Sequence, residues 1–384
     1  WYRKAADNGI AAAAYSLGVL YAKGNGVAQD YAQAVTWWQK ASAGGVGEAD
    51  FALGLSAASG TGLPRDPSAA VEYWRKAAGT GLTAAFLALG DAALNGSGVA
   101  QNFTDAITWY RKAADAGDAG GAFRLGLAYE AGTGIAHFYP DAVKWYRKAA
   151  EQGHVGGMAR LGEMYQDGRG VTADPAEAVT WFRRAAELGY SGAQVNLGVL
   201  YHAGRGVPVD DAESLKWFQK AADQGDRGAQ YNLGAMALNG IALPKDPAVA
   251  LGWFRKAAEQ GDPRAQTQVG VMSHQGLGTP VDEKQAIFWF GKAAEQGDAG
   301  ALANLGAMYY NGKGVAQDFA LAFMYFDIAI ARGPIQDTRQ YALPRSQASS
   351  KLTPEQVAAA HQKALDWLAA FEKRSAAPTG REQD

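Results

Sequence analysis

Small and apolar residues recur at helical spacing in the first complete segment of the chain. One stripe lies within residues 11–21 and consists of Ala13, Ala14, Leu17, Gly18, Leu20 and Tyr21. Gly24-Asn25-Gly26 ends this stripe, because glycine enters positive φ without steric cost. A second stripe follows Asp30, a residue type that caps helices well, and consists of Ala34, Val35, Trp37, Trp38 and Ala41. The pattern predicts two helices joined by a short turn.

The same pattern returns every 36 residues without insertion or deletion. The pair Leu-Gly, once Val-Gly, begins at positions 17, 53, 89, 125, 161, 197, 233, 269 and 305. Two adjacent aromatic residues keep the same step from Trp1-Tyr2 to Tyr325-Phe326. One helix pair cannot bury both of its faces alone, so neighbouring copies must stack on a shared core. The sequence therefore predicts an all-α array of nine to ten repeats over residues 1–333, the first of them truncated.

Helix caps and turns repeat with the same period, with two exceptions. The Asp30 position is occupied by Asp or Asn in later copies except at Phe138, which has no capping side chain. The turn between the two helices carries Gly-x-Gly in every copy except the seventh, where Ala242 takes the place of the second glycine. We expect the turn at Gly240 to be distorted, since alanine disfavours positive φ.

The repeats end near Gly333, and residues 334–374 have a different pattern. Pro344 and several serines indicate an irregular or short helical stretch up to Leu352. Thr353, Pro354 and Gln356 form a capping-box pattern at the start of a closing helix. We expect this helix to cover the last repeat and residues 375–384 to be disordered.

Composition narrows the classes of function. Thirty-six basic and 38 acidic residues leave a formal charge of −2, which argues against nucleic-acid binding and against a polybasic membrane anchor. No apolar run is long enough to span a membrane. The chain begins inside a repeat, so we expect further sequence upstream and draw nothing from the lack of a signal peptide.

The sequence offers no constellation for catalysis. The five histidines are never three to five residues apart, cysteine is absent, and no cofactor or metal is predicted. The Gly-x-Gly turns lack the further glycine or lysine of phosphate-binding loops, and no Ser-x-x-Lys occurs. We expect a protein that is not an enzyme.

The repeat columns resemble the Sel1-like repeat family, which is related to the tetratricopeptide repeats. Residues 193–225 contain the whole pattern: Ala-x-x-x-Leu-Gly-x-x-Tyr, Gly-x-Gly-Val, Asp, Ala, Trp and Lys-Ala-Ala-x-x-Gly. The resemblance covers residues 1–333 and implies a right-handed α-solenoid that serves as a protein-interaction scaffold. It favours a bacterial origin and the periplasm or cell envelope over the cytoplasm. The alternative is an envelope-assembly module associated with peptidoglycan or another glycan.

A binding groove is predicted on the side of the first helix opposite its buried stripe, because the columns there vary while the packing columns do not. A protein or peptide partner with apolar groups and some Lys or Arg would suit aromatic anchors and an acidic middle. The alternative is that the aromatic residues pack between neighbouring first helices and that the acidic residues are simply solvated. The oligomeric state is left open. The candidate groove residues are Tyr15, Phe51, Asp91, Phe123, Glu130, Glu163, Gln166, Asp167, His202, Tyr231, His274 and Tyr310.

Overall fold

The computed structural model describes residues 1–334 and 338–376, and these form helices and no strand. Seventeen consecutive helices, α2 to α18, have 13 residues each, as a fixed 36-residue repeat of two helices requires. None of the described helices is both long and apolar enough for a membrane span. The helices are α1 Tyr2–Asp7, α2 Ala11–Lys23, α3 Tyr31–Ala43, α4 Gly47–Ser59, α5 Pro67–Gly79, α6 Thr83–Asn95, α7 Phe103–Asp115, α8 Ala119–Ala131, α9 Tyr139–Glu151, α10 Val155–Asp167, α11 Pro175–Glu187, α12 Ser191–Ala203, α13 Asp211–Asp223, α14 Arg227–Asn239, α15 Pro247–Glu259, α16 Pro263–Gln275, α17 Glu283–Glu295, α18 Ala299–Asn311, α19 Phe319–Arg332, α20 Thr338–Ser349 and α21 Pro354–Ala376.

The chain divides into two compact units. Unit 1 comprises Trp1–Tyr190 with helices α1 to α11, and unit 2 begins at Ser191 and contains α12 to α21. We call the even-numbered helices α2 to α18 the first helices, and the odd-numbered helices α3 to α19 the second helices. Within each unit, a first helix packs along the second helix of its own repeat, and that second helix packs against the first helix of the next. Within each unit, neighbouring repeats therefore share a core.

Close approach of the paired helices explains the constant Leu-Gly pair. A Cβ atom placed on Gly126 would lie 2.4 Å from Cδ1 of Tyr146, and one on Gly54 would lie 2.3 Å from Nε1 of Trp74. The glycine thus gives room to the aromatic side chain 20 residues later, which is buried in both cases. The preceding leucine, Leu125 for example, is completely buried in the same layer. The glycine of the Leu-Gly column and the aromatic residue 20 positions later therefore form one packing contact.

The predicted caps of the second helices are confirmed. The Asp30 carboxylate accepts a hydrogen bond from the backbone N–H of Gln33 at 3.0 Å, and Asn102 accepts from the N–H groups of Thr104 and Asp105. Phe138 occupies the same position before α9 without a side-chain cap. The exception in the sequence is therefore an exception in the structure as well.

The predicted distortion of the turn at Gly240 is wrong. Ala242 adopts φ +58°, the left-handed conformation that glycine adopts at this position in other copies. The backbone hydrogen bonds that fix the turn are kept: Ile241 N–H donates to Met236 O at 3.0 Å, and Asp246 N–H donates to Ala237 O at 2.9 Å. The packed helices on either side impose the turn, and alanine adopts the strained conformation.

Helices α20 and α21 follow the repeats. Most of the stretch before Leu352 lies in α20, which contains Pro344. The capping box of α21 is confirmed, because Thr353 Oγ1 accepts from the N–H of Gln356 and Gln356 Oε1 accepts from the N–H of Thr353. Ala364, Trp367 and Leu368 of α21 join the core formed by α17, α18 and α19. Of the predicted disordered tail, residues 375 and 376 end α21, and residues 377–384 lie outside the described residues.

Candidate functional site

The side of each first helix that points away from the shared core is the candidate binding surface. In α2 the buried residues are Ala13, Ala14, Leu17 and Gly18. At 100° per residue, the opposite side carries the positions of Ala12, Ser16, Val19 and Lys23 and their counterparts 36 residues apart. We call this surface the first-helix face and describe it separately in each unit.

The five aromatic residues predicted as anchors are half-buried and lie at the edge of this face. The Phe123 ring stacks on His154 at a centroid distance of 4.4 Å, so it packs between the first helices α8 and α10. The Tyr231 ring lies 5.5 Å from that of Phe254, and Tyr310 lies 5.3 Å from Phe319. Two further aromatic residues pack against core clusters in the same way, namely Tyr15 and Phe51. Phe123 thus has the packing between first helices that the alternative described, whereas Tyr231 and Tyr310 pack on the second helix of their own repeat.

Asp91 belongs to a cluster of paired charges in unit 1. Its carboxylate accepts a hydrogen bond from the Tyr110 hydroxyl at 2.7 Å and forms an ion pair with Arg124 of the next first helix at 2.9 Å. Burial raises the pKa of Tyr110, and the hydrogen bond to Asp91 adds to this shift. Asp91 thus links two repeats.

Glu130 and Asp167 share one arginine. Arg169, in the turn after α10, lies 3.0 Å from the Glu130 carboxylate and 3.2 Å from that of Asp167. Glu130 also accepts a hydrogen bond from the hydroxyl of Tyr146, which is completely buried. Its carboxylate therefore joins the core of its own repeat to the next repeat.

Glu163 completes the cluster and pairs with Arg160, one helical turn earlier, at 3.0 Å. Burial raises the pKa of the Glu163 carboxyl above its ordinary value, although Arg160 opposes the shift. Gln166 is half-buried nearby on α10. The four predicted carboxylates are thus matched by three guanidinium groups, those of Arg124, Arg160 and Arg169. The expected acidic middle is a network of paired charges.

The two predicted histidines of unit 2 pair with carboxylates of their own repeats. Nδ1 of His202 lies 2.6 Å from Asp211, and Nδ1 of His274 lies 2.6 Å from Glu283. Each pair joins the end of a first helix to the start of the following second helix. Within the described residues, no group of three His, Asp or Glu side chains has an arrangement that could hold a metal ion.

A column of amides on the first-helix face of unit 2 was not predicted from the sequence. The Ser16 position becomes Asn196, Asn232, Gln268 and Asn304 in consecutive repeats, on α12, α14, α16 and α18. All four are half-buried, and their side-chain amides make no hydrogen bond within the part of the chain that the structure describes. We call these four residues the amide ladder. Comparing the Ser16 column across the repeats would have revealed it.

A second amide column, inside the core, was missed as well. The buried Gln230 side chain accepts a hydrogen bond from Gln260, 30 residues later, at 2.8 Å. Gln266 and Gln296 repeat the contact at 2.9 Å. These bonds tie a first helix to the end of the following second helix, and the signal was the replacement of Ala14 by glutamine in consecutive copies.

A cleft of about 470 Å³ opens beside the amide ladder in unit 2. Its walls include Gln268 of the ladder, the predicted residue Tyr231, and two guanidinium groups. The Arg264 guanidinium lies 4.4 Å from the centre of the Tyr231 ring, and Arg332 stacks on Phe371 at 4.3 Å. We call this cavity the arginine cleft.

Two adjacent basic residues follow the aromatic column in several second helices, for example Arg111-Lys112 and Arg255-Lys256, and the lysines contact its rings. Lys112 Nζ lies 4.2 Å from the centre of the Trp109 ring, and Lys256 Nζ lies 4.1 Å from that of Trp253. Arg147 donates a hydrogen bond to the hydroxyl of Tyr165 on the next first helix. The two lysines thus cover rings of their own helices, and Arg147 joins a second helix to the next first helix.

The Sel1 repeat family profile matches residues 1–10, 11–46, 47–79, 84–118, 119–154, 155–190, 191–226, 228–262, 263–298 and 299–334. The chain belongs to the Sel1 repeat family. It is similar to a protective antigen of uropathogenic Escherichia coli, at 33% identity over 100% of this chain and 90% of that one, with a TM-score of 0.52. It is also similar to a Sel1 repeat protein from Oxalobacter formigenes, at 33% identity over 80% of this chain and 89% of that one, with a TM-score of 0.63. No curated protein matches the chain.

These findings establish the chain as an α-solenoid of ten Sel1 repeats whose relatives are bacterial. Sel1 repeat proteins are generally scaffolds for protein interactions and are typically not catalytic. Membership of the family does not identify a partner, so the kind of partner must be inferred from the site residues.

Proposed function

We propose that this protein is a non-enzymatic scaffold that binds a segment of a partner protein on its first-helix face. The observation that carries the proposal is the amide ladder. Its four side chains each present a donor and an acceptor that no group of the described chain uses. None of these amide atoms is closed off from solvent, so they are free to bond with a polar chain that lies across them.

The contrast with the second helices supports this choice of face. On the second helices, aromatic rings and the cations above them are engaged in packing, as the contact between Trp253 and Lys256 shows. On the first-helix face, the same positions differ from repeat to repeat, for example Leu55, Asp91 and Val199. Variation among otherwise constant repeats is what a surface needs to recognise one partner sequence.

Affinity capture with matched surface variants tests the proposal. The full chain is compared with a variant that carries Leu55→Lys, Asn232→Lys and Asn304→Lys on the first-helix face. The control carries Thr36→Lys, Thr180→Lys and Phe288→Lys at exposed positions of second helices. We expect a partner, identified by mass spectrometry and then purified, to bind the wild-type and control chains and to lose at least about tenfold in affinity for the first variant.

Equal binding by all three chains would contradict the proposal. The alternative of an envelope module has its own readout, which is sedimentation of the chain with purified peptidoglycan. Sedimentation that the first-helix substitutions leave unchanged would favour that alternative over the scaffold.

A further inference from the structure

The arginine cleft of unit 2 is lined by two arginines, of which only one forms an ion pair among the described residues. Its lining includes Arg264 and Arg332 but only one acidic residue, Asp298. The Asp298 carboxylate already accepts hydrogen bonds from the N–H of Ala301 at 2.8 Å and from the hydroxyl of Thr267 at 3.0 Å. Both bonds reach Oδ1 of Asp298, and among the described residues its carboxylate forms no ion pair with either arginine.

The two arginines differ in how they are held. Arg264 pairs with the buried carboxylate of Asp262 at 2.9 Å, and its guanidinium covers the Tyr231 ring. Arg332 forms no ion pair among the described residues; its guanidinium stacks on Phe371, and its Nε lies 3.5 Å from the carbonyl oxygen of Gly297. Arg332 is exposed, and its fork of N–H groups is held at the cleft without a carboxylate.

The cleft is continuous with the amide ladder through Gln268, which belongs to both. A side-chain amide donates one hydrogen bond and accepts another, which matches the main chain of an extended peptide. A guanidinium group matches a carboxylate through two parallel hydrogen bonds. One ligand satisfies both features: an extended segment with an acidic side chain.

We propose that unit 2 recognises an extended protein segment that carries Asp or Glu, with the carboxylate bound at Arg332 and the main chain along the amide ladder. The proposal rests on the function proposed above and gives the partner a chemical class. It also reverses the charge of the expected partner, because in the sequence four carboxylates of unit 1 suggested a basic partner. Those carboxylates are paired, whereas Arg332 is not.

Fluorescence anisotropy with the full chain tests the proposal. The probes are three fluorescein-labelled pools of nonapeptides with Glu, Gln or Lys at three fixed positions and an equimolar mixture of Ala, Leu, Ser and Thr elsewhere. We expect the Glu pool to bind roughly tenfold more tightly than the Gln pool, and the Lys pool to bind most weakly. Added salt should weaken the binding of the Glu pool, since the exposed pair is screened.

Substitutions locate the binding. Arg332→Gln and Gln268→Leu should each weaken binding of the Glu pool several-fold, Arg332→Gln by about tenfold. Arg255→Gln is the matched control, because it removes an exposed arginine of a second helix outside the cleft. Circular dichroism of each variant shows whether it is folded, and Gln268→Leu provides an independent test if Arg332→Gln loosens α21.

Three results would overturn the proposal: equal binding of the Glu and Gln pools, unchanged binding by Arg332→Gln, or an Arg332-dependent preference for a phosphoserine pool over the Glu pool. The last result would mean that Arg332 recognises a phosphate group and not a carboxylate. If the partner capture described above depends on the first-helix face but the Glu pool shows no preference, only the acidic specificity fails. If capture is independent of that face, the scaffold proposal itself fails.

Discussion

Gly126 lies directly against the ring of Tyr146, so that a single added methyl group would come within 2.4 Å of Cδ1 of that ring. The ring is completely buried, and its hydroxyl is held by Glu130, so it has little freedom to move aside. The contact shows why a glycine in the middle of a 13-residue helix is kept in every repeat, despite its low helix propensity.

We expect Gly126→Ala to destabilise unit 1 by about 1–3 kcal/mol, because the core must shift to accept the methyl group. Gly252→Ala is the matched control. Gly252 also lies within a helix, but no atom lies within 4 Å of the position of its missing Cβ, so alanine should stabilise by up to about 1 kcal/mol. Urea unfolding followed by circular dichroism measures both. Equal effects of the two substitutions would contradict this account of the Leu-Gly column.

Glu130→Lys should destabilise unit 1 by about 3 kcal/mol. The substitution places a cation beside Arg169 and removes the acceptor of the buried Tyr146 hydroxyl. Asp167→Lys touches the same arginine, but its side chain is 46% exposed against 16% for Glu130, so we expect a loss within about 1 kcal/mol. Thermal and urea unfolding of the two variants compares them. The paired-charge description would be wrong if Glu130→Lys were as mild as Asp167→Lys.

The Asp262 carboxylate should contribute stability that depends on pH. Burial alone would raise its pKa, but hydrogen bonds from Arg264 and from the N–H of Ala265 outweigh burial and hold the pKa below its ordinary value. The unfolded chain therefore binds this proton more readily. The contribution is present above about pH 4 and is lost as the pH falls through the lower pKa of the folded chain.

Asp262→Asn, which keeps a capping side chain, should lower the free energy of unfolding by about 1 kcal/mol at pH 7 and by less at pH 3. Asp246→Asn is the control, since Asp246 caps α15 without an arginine partner. Urea midpoints at the two pH values give the comparison. A difference between wild type and Asp262→Asn that stayed constant or grew toward pH 3 would refute the sign of this effect.

Ala242→Gly should stabilise unit 2 by about 1 kcal/mol, because glycine adopts φ +58° without the steric cost that alanine bears. The same substitution at an exposed position within a helix, Ala359→Gly, should have the opposite sign. Thermal unfolding of the two variants measures the sign of each effect on stability. If Ala242→Gly destabilised the chain like Ala359→Gly, the turn would not be strained.

The sequence predicted the helices and their caps because those features depend on residues close together in the chain. Asp30 and Gln33, for example, form a cap within one turn. The pairing of Glu130 with Arg169 could not be predicted in this way, because it depends on how far one repeat is rotated against the next. The same geometry decides that Phe123 stacks on His154 instead of standing free.

The prediction of a binding surface on the first helix stays a proposal, and a column other than the aromatic one supports it. The aromatic column that includes Phe123 and Tyr231 lies at the edge of this surface and packs. The column next to it, with Asn232 and Asn304, presents amides that form no hydrogen bond within the described chain. These residues can be found in the sequence, but only the structure shows that their amides have no partner. A buried amide such as Gln230 looks the same in sequence and has a partner.

Site-directed photo-crosslinking of the full chain to its partner tests whether the partner binds on the first-helix face. Benzoylphenylalanine is placed at Leu55 or Asn304 on the first-helix face and, as matched controls, at Thr36 or Phe288 on the second helices. We expect a crosslinked partner from Leu55, from Asn304 or from both, and none from the two controls. Crosslinking that occurs only from Thr36 or Phe288, or equally from all four positions, would contradict binding on the first-helix face.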